Sequence, residues 1–138
     1  MKPGLHQLNY NGCLILAELD NSTWFSYPEN IALQEDTRLL CQVGKQKGAD
    51  FTIGPKLYGY LRQEKFNFVN ATICQPALTG KYRHYLNLKS QAWADTYLEF
   101  NLTSQSDLEN MAKQLNALTD NLDYLLAGAK MYLVSGKI

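Results

Sequence analysis

A short apolar run near the start of the chain constrains the fold most. Residues 14–17 are Leu-Ile-Leu-Ala, with no alternation between apolar and polar side chains. This pattern is typical of a strand in a sheet that is covered on both faces. An Asn-Gly pair at 11–12 predicts a tight turn before it, and Glu18 and Asp20 end it with two carboxylates. We therefore expect a strand that is buried on both faces and has a partner at each edge.

Composition excludes several classes of protein. With 138 residues the chain fits a single domain spanning 1–138. The 13 basic and 13 acidic side chains form no basic stripe, so we expect no nucleic-acid partner. No apolar run approaches the roughly 18 residues that cross a bilayer, and no leader peptide opens the chain, so we expect a cytoplasmic protein with no membrane partner. The three cysteines are widely spaced without a CxxC motif, which predicts no metal site.

The rest of the chain alternates between helical and strand patterns, which indicates an α/β fold. Apolar spacing and turn residues predict four helices and two further strands. The predicted elements are an inserted helix at about 28–47 that starts at Pro28 with Ser26 as its cap, a short helix at 56–64, a strand at 66–75, a lid-like helix pair at about 83–121, and a last strand at 130–136. Ser106 and Glu109 form a capping-box pattern, which predicts that the second helix of the pair begins there.

Several segments, taken in order, resemble the C-terminal half of class I S-adenosylmethionine-dependent methyltransferases, a broad group that includes quinone-biosynthesis methyltransferases. The resemblance covers nearly the whole chain beyond about residue 9, and it depends on the succession of segments more than on any one of them. The segments are NGCLILAELD at 11–20, Tyr27-Pro28 before a helix, IGPKLYGYLRQEKF at 53–66, Gln75-Pro76, and LLAGAKMYLVSGKI at 125–138.

The resemblance implies the C-terminal part of a Rossmann-like methyltransferase sheet. Such a part has about three strands and four helices, and its last strand runs antiparallel between the two preceding ones. In the family, S-adenosylmethionine is bound by a glycine-rich turn and an acidic residue in the N-terminal half. No GxGxxG or GxGxG motif occurs in the 138 residues. The full-length parent is thus expected to use S-adenosylmethionine, whereas this chain alone is expected to lack the cofactor-binding half and to be inactive.

Polar and aromatic residues after the first predicted strand are the first candidate site. Ligands of open α/β sheets bind outside the carboxyl ends of the strands, and Glu18 and Asp20 lie at that end, followed by Trp24 and Tyr27. A carboxylate there can orient a nucleophile or take its proton, and the rings can flank the substrate. The alternative is that the carboxylates cap or solvate the strand end and the rings only pack the loop.

Tyr82, Arg83 and His84 are the second candidate group. They precede the predicted lid-like helix pair, which lies where related enzymes fold a flap over the substrate. An Arg-His pair suits an anionic substrate, but such residues also occur at solvated helix starts, where their charge opposes the helix dipole. The catalytic residues stay unknown, because neither of the two histidines has the surroundings of a catalytic triad.

Two functions follow from these patterns. The first is the substrate-side portion of a methyltransferase that acts on a small molecule, inactive without its cofactor half. The alternative is a non-enzymatic binding or dimerisation module derived from the same fold. Such a module would cover the open edge of its first strand by forming a homodimer.

Overall fold

A computed structural model describes residues 11–138, so residues 1–10 of the predicted domain lie outside the described part. The described chain is mixed α/β, with four α-helices, five strands and three short 310 helices. In chain order these are β1 (Cys13–Asp20), a 310 helix (Asn21–Thr23), β2 (Phe25–Tyr27), α1 (Ile31–Gln46), a 310 helix (Gly54–Lys56), α2 (Leu57–Gln63), β3 (Phe68–Cys74), a 310 helix (Gly80–His84), α3 (Tyr85–Glu99), α4 (Gln105–Asp120), β4 (Leu125–Ala127) and β5 (Lys130–Lys137).

The main sheet has the order β1-β5-β3, so the last strand lies between two strands that precede it. Both pairings are antiparallel, and Val134 at the centre faces Leu16 on one side and Ala71 on the other. The predicted α/β class, the four helices and the antiparallel last strand are confirmed. No two strands pair in parallel within residues 11–138, and the Rossmann-like assignment stays a prediction.

A second, two-stranded sheet joins β2 to β4 in antiparallel fashion, with Ser26 opposite Leu126. The predicted elements included no strand at 25–27 or at 125–127, and the structure corrects both omissions. Three-residue strands are too short to show a period of two, so only their pairing reveals them.

Two apolar cores hold the elements together. Helices α1, α3 and α4 enclose the larger one, in which Leu39 and Tyr97 are fully buried. The smaller core lies between α2 and one face of the main sheet, where Leu61 and Phe66 contact Val134. Gly136 in β5 gives Phe66 this space, since a Cβ there would come within 2.8 Å of the ring.

The opposite face of the main sheet is bare, which corrects the prediction that β1 is buried on both faces. Ile15 is 63% exposed, Phe68 72% and Leu133 45%. The apolar run predicted two covering layers, but within residues 11–138 only α2 and its flanking loops cover this sheet, and they cover one side. β1 also has no strand beside its outer edge in the described chain. We call the side chains of Ile15, Ala17, Leu19, Phe68, Met131 and Leu133 the bare face.

The long helices begin at caps other than the predicted ones. α1 begins at Ile31, where Asn30 Oδ1 accepts a hydrogen bond from Leu33 N (3.1 Å), and not at Pro28. The predicted cap, Ser26, instead donates from its hydroxyl to the Pro28 carbonyl (2.8 Å).

The N-cap of α4 lies two residues before the predicted one. The hydroxyl of Ser104 accepts from Asp107 N (3.2 Å), so Ser104 and not Ser106 is the cap. α3 starts at Tyr85, because residues 80–84 form a 310 turn in place of the predicted helix start at 83. None of the helices described over 11–138 has the length and apolar character to cross a membrane.

Candidate functional site

A cavity of about 420 Å³ lies at the carboxyl end of β1. This volume falls within the range of small-molecule sites in proteins. We call it the aromatic pocket, and its lining residues are Glu18, Leu19, Asn21, Trp24, Leu40, Asp50, Phe51, Lys89 and Trp93. The lining comes from four parts of the chain: the end of β1 with the loop after it, α1, the loop after α1, and α3.

The loop after α1 is fastened to the end of β1 by Asn21. Its backbone N–H and its side-chain amide both donate to the Phe51 carbonyl, at 2.9 and 3.1 Å. Gly44 in α1 leaves room for the Phe51 ring, because a Cβ there would lie 2.9 Å from ring atom Cγ. The ring in turn meets Trp93 of α3, with centroids 5.6 Å apart and planes tilted by 59°. One wall of the pocket is thus a fixed pair of aromatic rings.

Trp24 forms another wall. Its indole Nε1 donates to Asn21 Oδ1 at 3.4 Å, and the Lys89 ammonium lies over its ring, 4.1 Å from the centroid. A cation at this distance is attracted by the ring quadrupole. The two tryptophans of the chain, Trp24 and Trp93, therefore both line the aromatic pocket.

Behind Trp24, the Lys89 ammonium forms a buried ion pair with Asp36 of α1. Lys89 Nζ lies 2.7 Å from Asp36 Oδ2. The Tyr97 hydroxyl donates to the other carboxylate oxygen at 3.2 Å. Asp36 is fully buried, and the Lys89 side chain is only 10% exposed. A charge pair of this kind needs both partners, because either charge left alone would be buried without compensation.

Burial perturbs the proton equilibria of this cluster. Burial lowers the pKa of Lys89, and the neighbouring Asp36 carboxylate opposes that shift. Burial also raises the pKa of Tyr97, and Asp36 raises it further. Both effects follow from the cost of placing a charge away from water. The phenol of Tyr97 accordingly stays protonated and keeps donating to Asp36.

Two carboxylates belong to the pocket lining, and they differ in their partners. Asp50 forms an ion pair with Lys56 and accepts a hydrogen bond from Thr52 N (2.9 Å). The contact with Lys56 has the largest effect, and together with Thr52 it lowers the pKa of Asp50 to about 2. Glu18 makes no hydrogen bond or ion pair with any side chain among residues 11–138. Glu18 is therefore the lining carboxylate whose oxygens are available to a ligand.

The structure brings together only part of the first candidate site. Glu18 and Trp24 both line the aromatic pocket. Asp20 is buried and caps the 310 helix after β1, since one of its oxygens accepts from Ser22 N (3.0 Å) and from the Ser22 hydroxyl (2.5 Å). Tyr27 is 72% exposed and lines a separate cavity of about 250 Å³, to which Trp24 also contributes. For Asp20, the geometry matches the alternative in which the carboxylate caps the strand end.

The second candidate group lies outside the lining of the aromatic pocket. Arg83 is buried, and its guanidinium donates to four backbone carbonyls at and after the C-terminal end of α4, those of Leu118, Thr119, Asn121 and Tyr124. All three guanidinium nitrogens thus have protein acceptors, which fits a structural contact. Tyr82 and His84 on either side of it are exposed.

Sequence reasoning missed most residues of the site, among them Asp36, Phe51, Lys89 and Trp93. A signal existed for two of them. Asp36 lies on the apolar stripe of α1 between Leu33 and Leu40, and Lys89 lies on the stripe of α3 that carries Trp93. A charge on an otherwise apolar helix face predicts a buried partner. Phe51 carried no such signal, because its loop has no periodicity.

Comparison with known proteins adds no identification. Neither a protein-family model nor a curated protein matches the chain. Within residues 11–138, no three metal-binding side chains lie close enough together to hold an ion.

Proposed function

We propose that this chain is the C-terminal, substrate-side portion of an S-adenosylmethionine-dependent methyltransferase, inactive without the cofactor-binding half. The observation that carries the proposal is the aromatic pocket at the carboxyl end of β1. Ligands of open α/β sheets bind at that end of the strands. The β1-β5-β3 order supports it, because the family resemblance implies an antiparallel last strand between its two predecessors.

The bare face and the open edge of β1 supply further support. A methyltransferase half with its own parallel strands would place one strand beside β1 and helices over Ile15 and Leu133. The apolar run at 14–17 then acquires the two-sided burial that its pattern predicts.

In this proposal the chain contributes the substrate wall of the cleft. S-adenosylmethionine, when bound to the other half, supplies the methyl group. The rings of Trp24, Phe51 and Trp93 exclude water and fix the orientation of the substrate, and such positioning provides much of the rate enhancement of methyl transfer. Glu18 accepts the proton of the nucleophilic group. None of the 138 residues is assigned to the cofactor, since none belongs to a glycine-rich motif.

Calorimetric titration and a chimera test the proposal together. We expect no heat when S-adenosylhomocysteine is added to the chain alone, and one-to-one binding there would overturn the view that the cofactor half is separate. In the chimera, residues 11–138 replace the segment of a class I methyltransferase from its fifth strand onward. We expect this chimera to unfold cooperatively and to bind S-adenosylhomocysteine.

The control chimera carries Leu61→Asp, which destroys the core between α2 and the sheet and should abolish cooperative unfolding. An unmutated chimera that folds cooperatively but fails to bind S-adenosylhomocysteine would contradict the proposal.

A second candidate is a non-enzymatic module that dimerises through β1, and the open edge of that strand favours it. The first five residues of β1, 13–17, carry no charge or proline that would prevent edge-to-edge pairing. Sedimentation of the chain at several concentrations tests this. A dimer that Leu16→Pro dissociates would support the module, because proline removes a ladder donor. A monomer at high concentration would exclude it.

A further inference from the structure

We infer that the aromatic pocket binds an uncharged, planar aromatic compound that presents a hydrogen-bond donor to Glu18. Under the proposed function this compound belongs to the substrate class, so the link to methyl transfer rests on that proposal. The binding inference itself uses only the pocket.

The walls favour a flat, aromatic ligand. Trp24, Phe51 and Trp93 contribute three rings to a cavity of about 420 Å³, and Leu19 and Leu40 add apolar surface. Aromatic rings favour offset or edge-to-face contact with other rings, worth more than the burial of their area alone. A ligand of one or two fused rings fits this volume and these contacts.

The fixed charges disfavour a cationic ligand. The two indole rings that could attract a cation already face ammonium groups: Lys89 lies 4.1 Å from the Trp24 centroid and Lys47 lies 5.5 Å from that of Trp93. A ligand cation would find both of these ring faces already occupied, and it would lose its water on entering the pocket.

An anionic ligand is disfavoured for a different reason. Glu18 has no compensating cation among residues 11–138, and the Lys89 charge is already matched by Asp36 at 2.7 Å. An anion in the pocket would therefore meet an uncompensated carboxylate without a free cation to bind. A neutral ligand avoids both the desolvation cost of a cation and the unmatched carboxylate that an anion would meet.

Glu18 selects the polar group of that ligand. An ionised carboxylate only accepts hydrogen bonds, so its partner has to be an O–H or N–H group. Asn21 offers little competition, because its amide donates to Phe51 and its oxygen accepts from Trp24. Asp50 is likewise occupied by Lys56 and Thr52.

Four naphthalene probes of similar shape test the inference. They are 2-naphthol (neutral donor), 2-methoxynaphthalene (neutral, no donor), naphthalene-2-sulfonate (anion) and 2-naphthyltrimethylammonium (cation). Because Trp24 and Trp93 both line the pocket, their two indole N–H signals in 1H–15N NMR spectra report binding directly. We expect 2-naphthol to shift both signals saturably. Each of the other three probes should bind about tenfold more weakly, as the loss of a charge-assisted hydrogen bond predicts.

Two variants test whether Glu18 is the carboxylate that makes the pocket prefer a ligand with a hydrogen-bond donor. Glu18→Leu should bind 2-naphthol and 2-methoxynaphthalene equally, whereas Asp50→Asn, the matched control, should keep the tenfold preference. A charged probe that binds as tightly as 2-naphthol would overturn the inference. So would a preference that survives Glu18→Leu, or binding that leaves both indole signals unmoved.

These outcomes are separate from those of the proposed function. Selective binding of 2-naphthol by a chain whose chimera fails to bind S-adenosylhomocysteine would leave the pocket inference standing and the methyltransferase proposal refuted. A chimera that binds S-adenosylhomocysteine, with no naphthol binding to the chain, would refute the ligand class alone.

Discussion

Asp36 and Lys89 form the buried ion pair behind Trp24. Burying two charges costs free energy of desolvation, and for buried pairs in general this cost can exceed the gain from their attraction. We explain the ion pair by the contacts it makes rather than by a gain in stability. The Lys89 ammonium lies over the Trp24 ring, and the Tyr97 hydroxyl donates a hydrogen bond to Asp36. The network therefore sets the orientation of one wall of the aromatic pocket.

Asp36→Asn should destabilise the protein strongly, because it leaves the Lys89 charge buried without its partner. We expect a loss of about 3–5 kcal/mol in the free energy of unfolding, measured by urea denaturation. The matched control is Glu35→Gln, which breaks the exposed pair with Arg38 one residue earlier and should cost less than about 1 kcal/mol. Equal losses in the two variants would contradict the buried pair.

Tyr97→Phe should change how stability depends on alkaline pH. The folded state raises the pKa of Tyr97 above its ordinary value of 10.0, so above about pH 10 the unfolded chain releases a proton that the folded chain keeps. The free energy of unfolding then falls as pH rises, by up to about 1.4 kcal/mol per pH unit from this group. Urea denaturation at pH 9, 10 and 11 should show a shallower fall in the variant. If the free energy of unfolding falls equally steeply with pH in both proteins, the pKa of Tyr97 is not raised in the folded state.

The capping residue of α4 gives a prediction for a single element. Ser104 accepts the Asp107 N–H, whereas Ser106, which the sequence indicated, lies within the first turn. Ser104→Ala should therefore cost about 1 kcal/mol in unfolding free energy, and Ser106→Ala should stay within about 0.5 kcal/mol. Thermal or urea denaturation of the two variants measures these losses. A larger loss from Ser106→Ala than from Ser104→Ala would mean that Ser106 is the cap.

The sequence predicted which elements exist better than where they begin. Four helices and three long strands were recognised, because each has an apolar run or a repeat of apolar positions that extends over several residues. The helix starts failed because serine and asparagine cap equally well, and only the tertiary position of a chain selects Asn30 over Ser26 and Ser104 over Ser106.

Only the part of the site that directly follows a strand end could be predicted from the sequence. Glu18 and Trp24 follow a strand end, and strand ends of α/β sheets are where ligands bind. Phe51, Lys89 and Trp93 reach the same pocket from a loop and a helix that are distant in sequence. Their meeting depends on how α1 and α3 pack, which single-sequence periodicity does not encode.

Substitutions on the two faces of the main sheet should have different effects on the stability of the whole molecule. Ile15 and Leu16 are neighbours in β1, but Ile15 lies on the bare face and Leu16 packs against the core that contains Leu61. Ile15→Asn should change the unfolding free energy by no more than about 0.5 kcal/mol, and Leu16→Asn should lower it by about 2 kcal/mol. Urea denaturation of the two variants measures this, and a large loss from Ile15→Asn would mean that the face is covered in solution.

The position of β5 in the sheet also has a consequence for biosynthesis. β1 and β3 each pair only with β5 in the main sheet, and the Asp20–Lys130 pair joins residues about 110 positions apart. At the usual rate of translation, roughly 5–20 s separate the synthesis of β1 from that of its partner. During that interval two strands with apolar side chains leave the ribosome without the strand that joins them. The nascent chain thus exposes extended apolar segments during that interval, and its sheet closes only after β5 has been made.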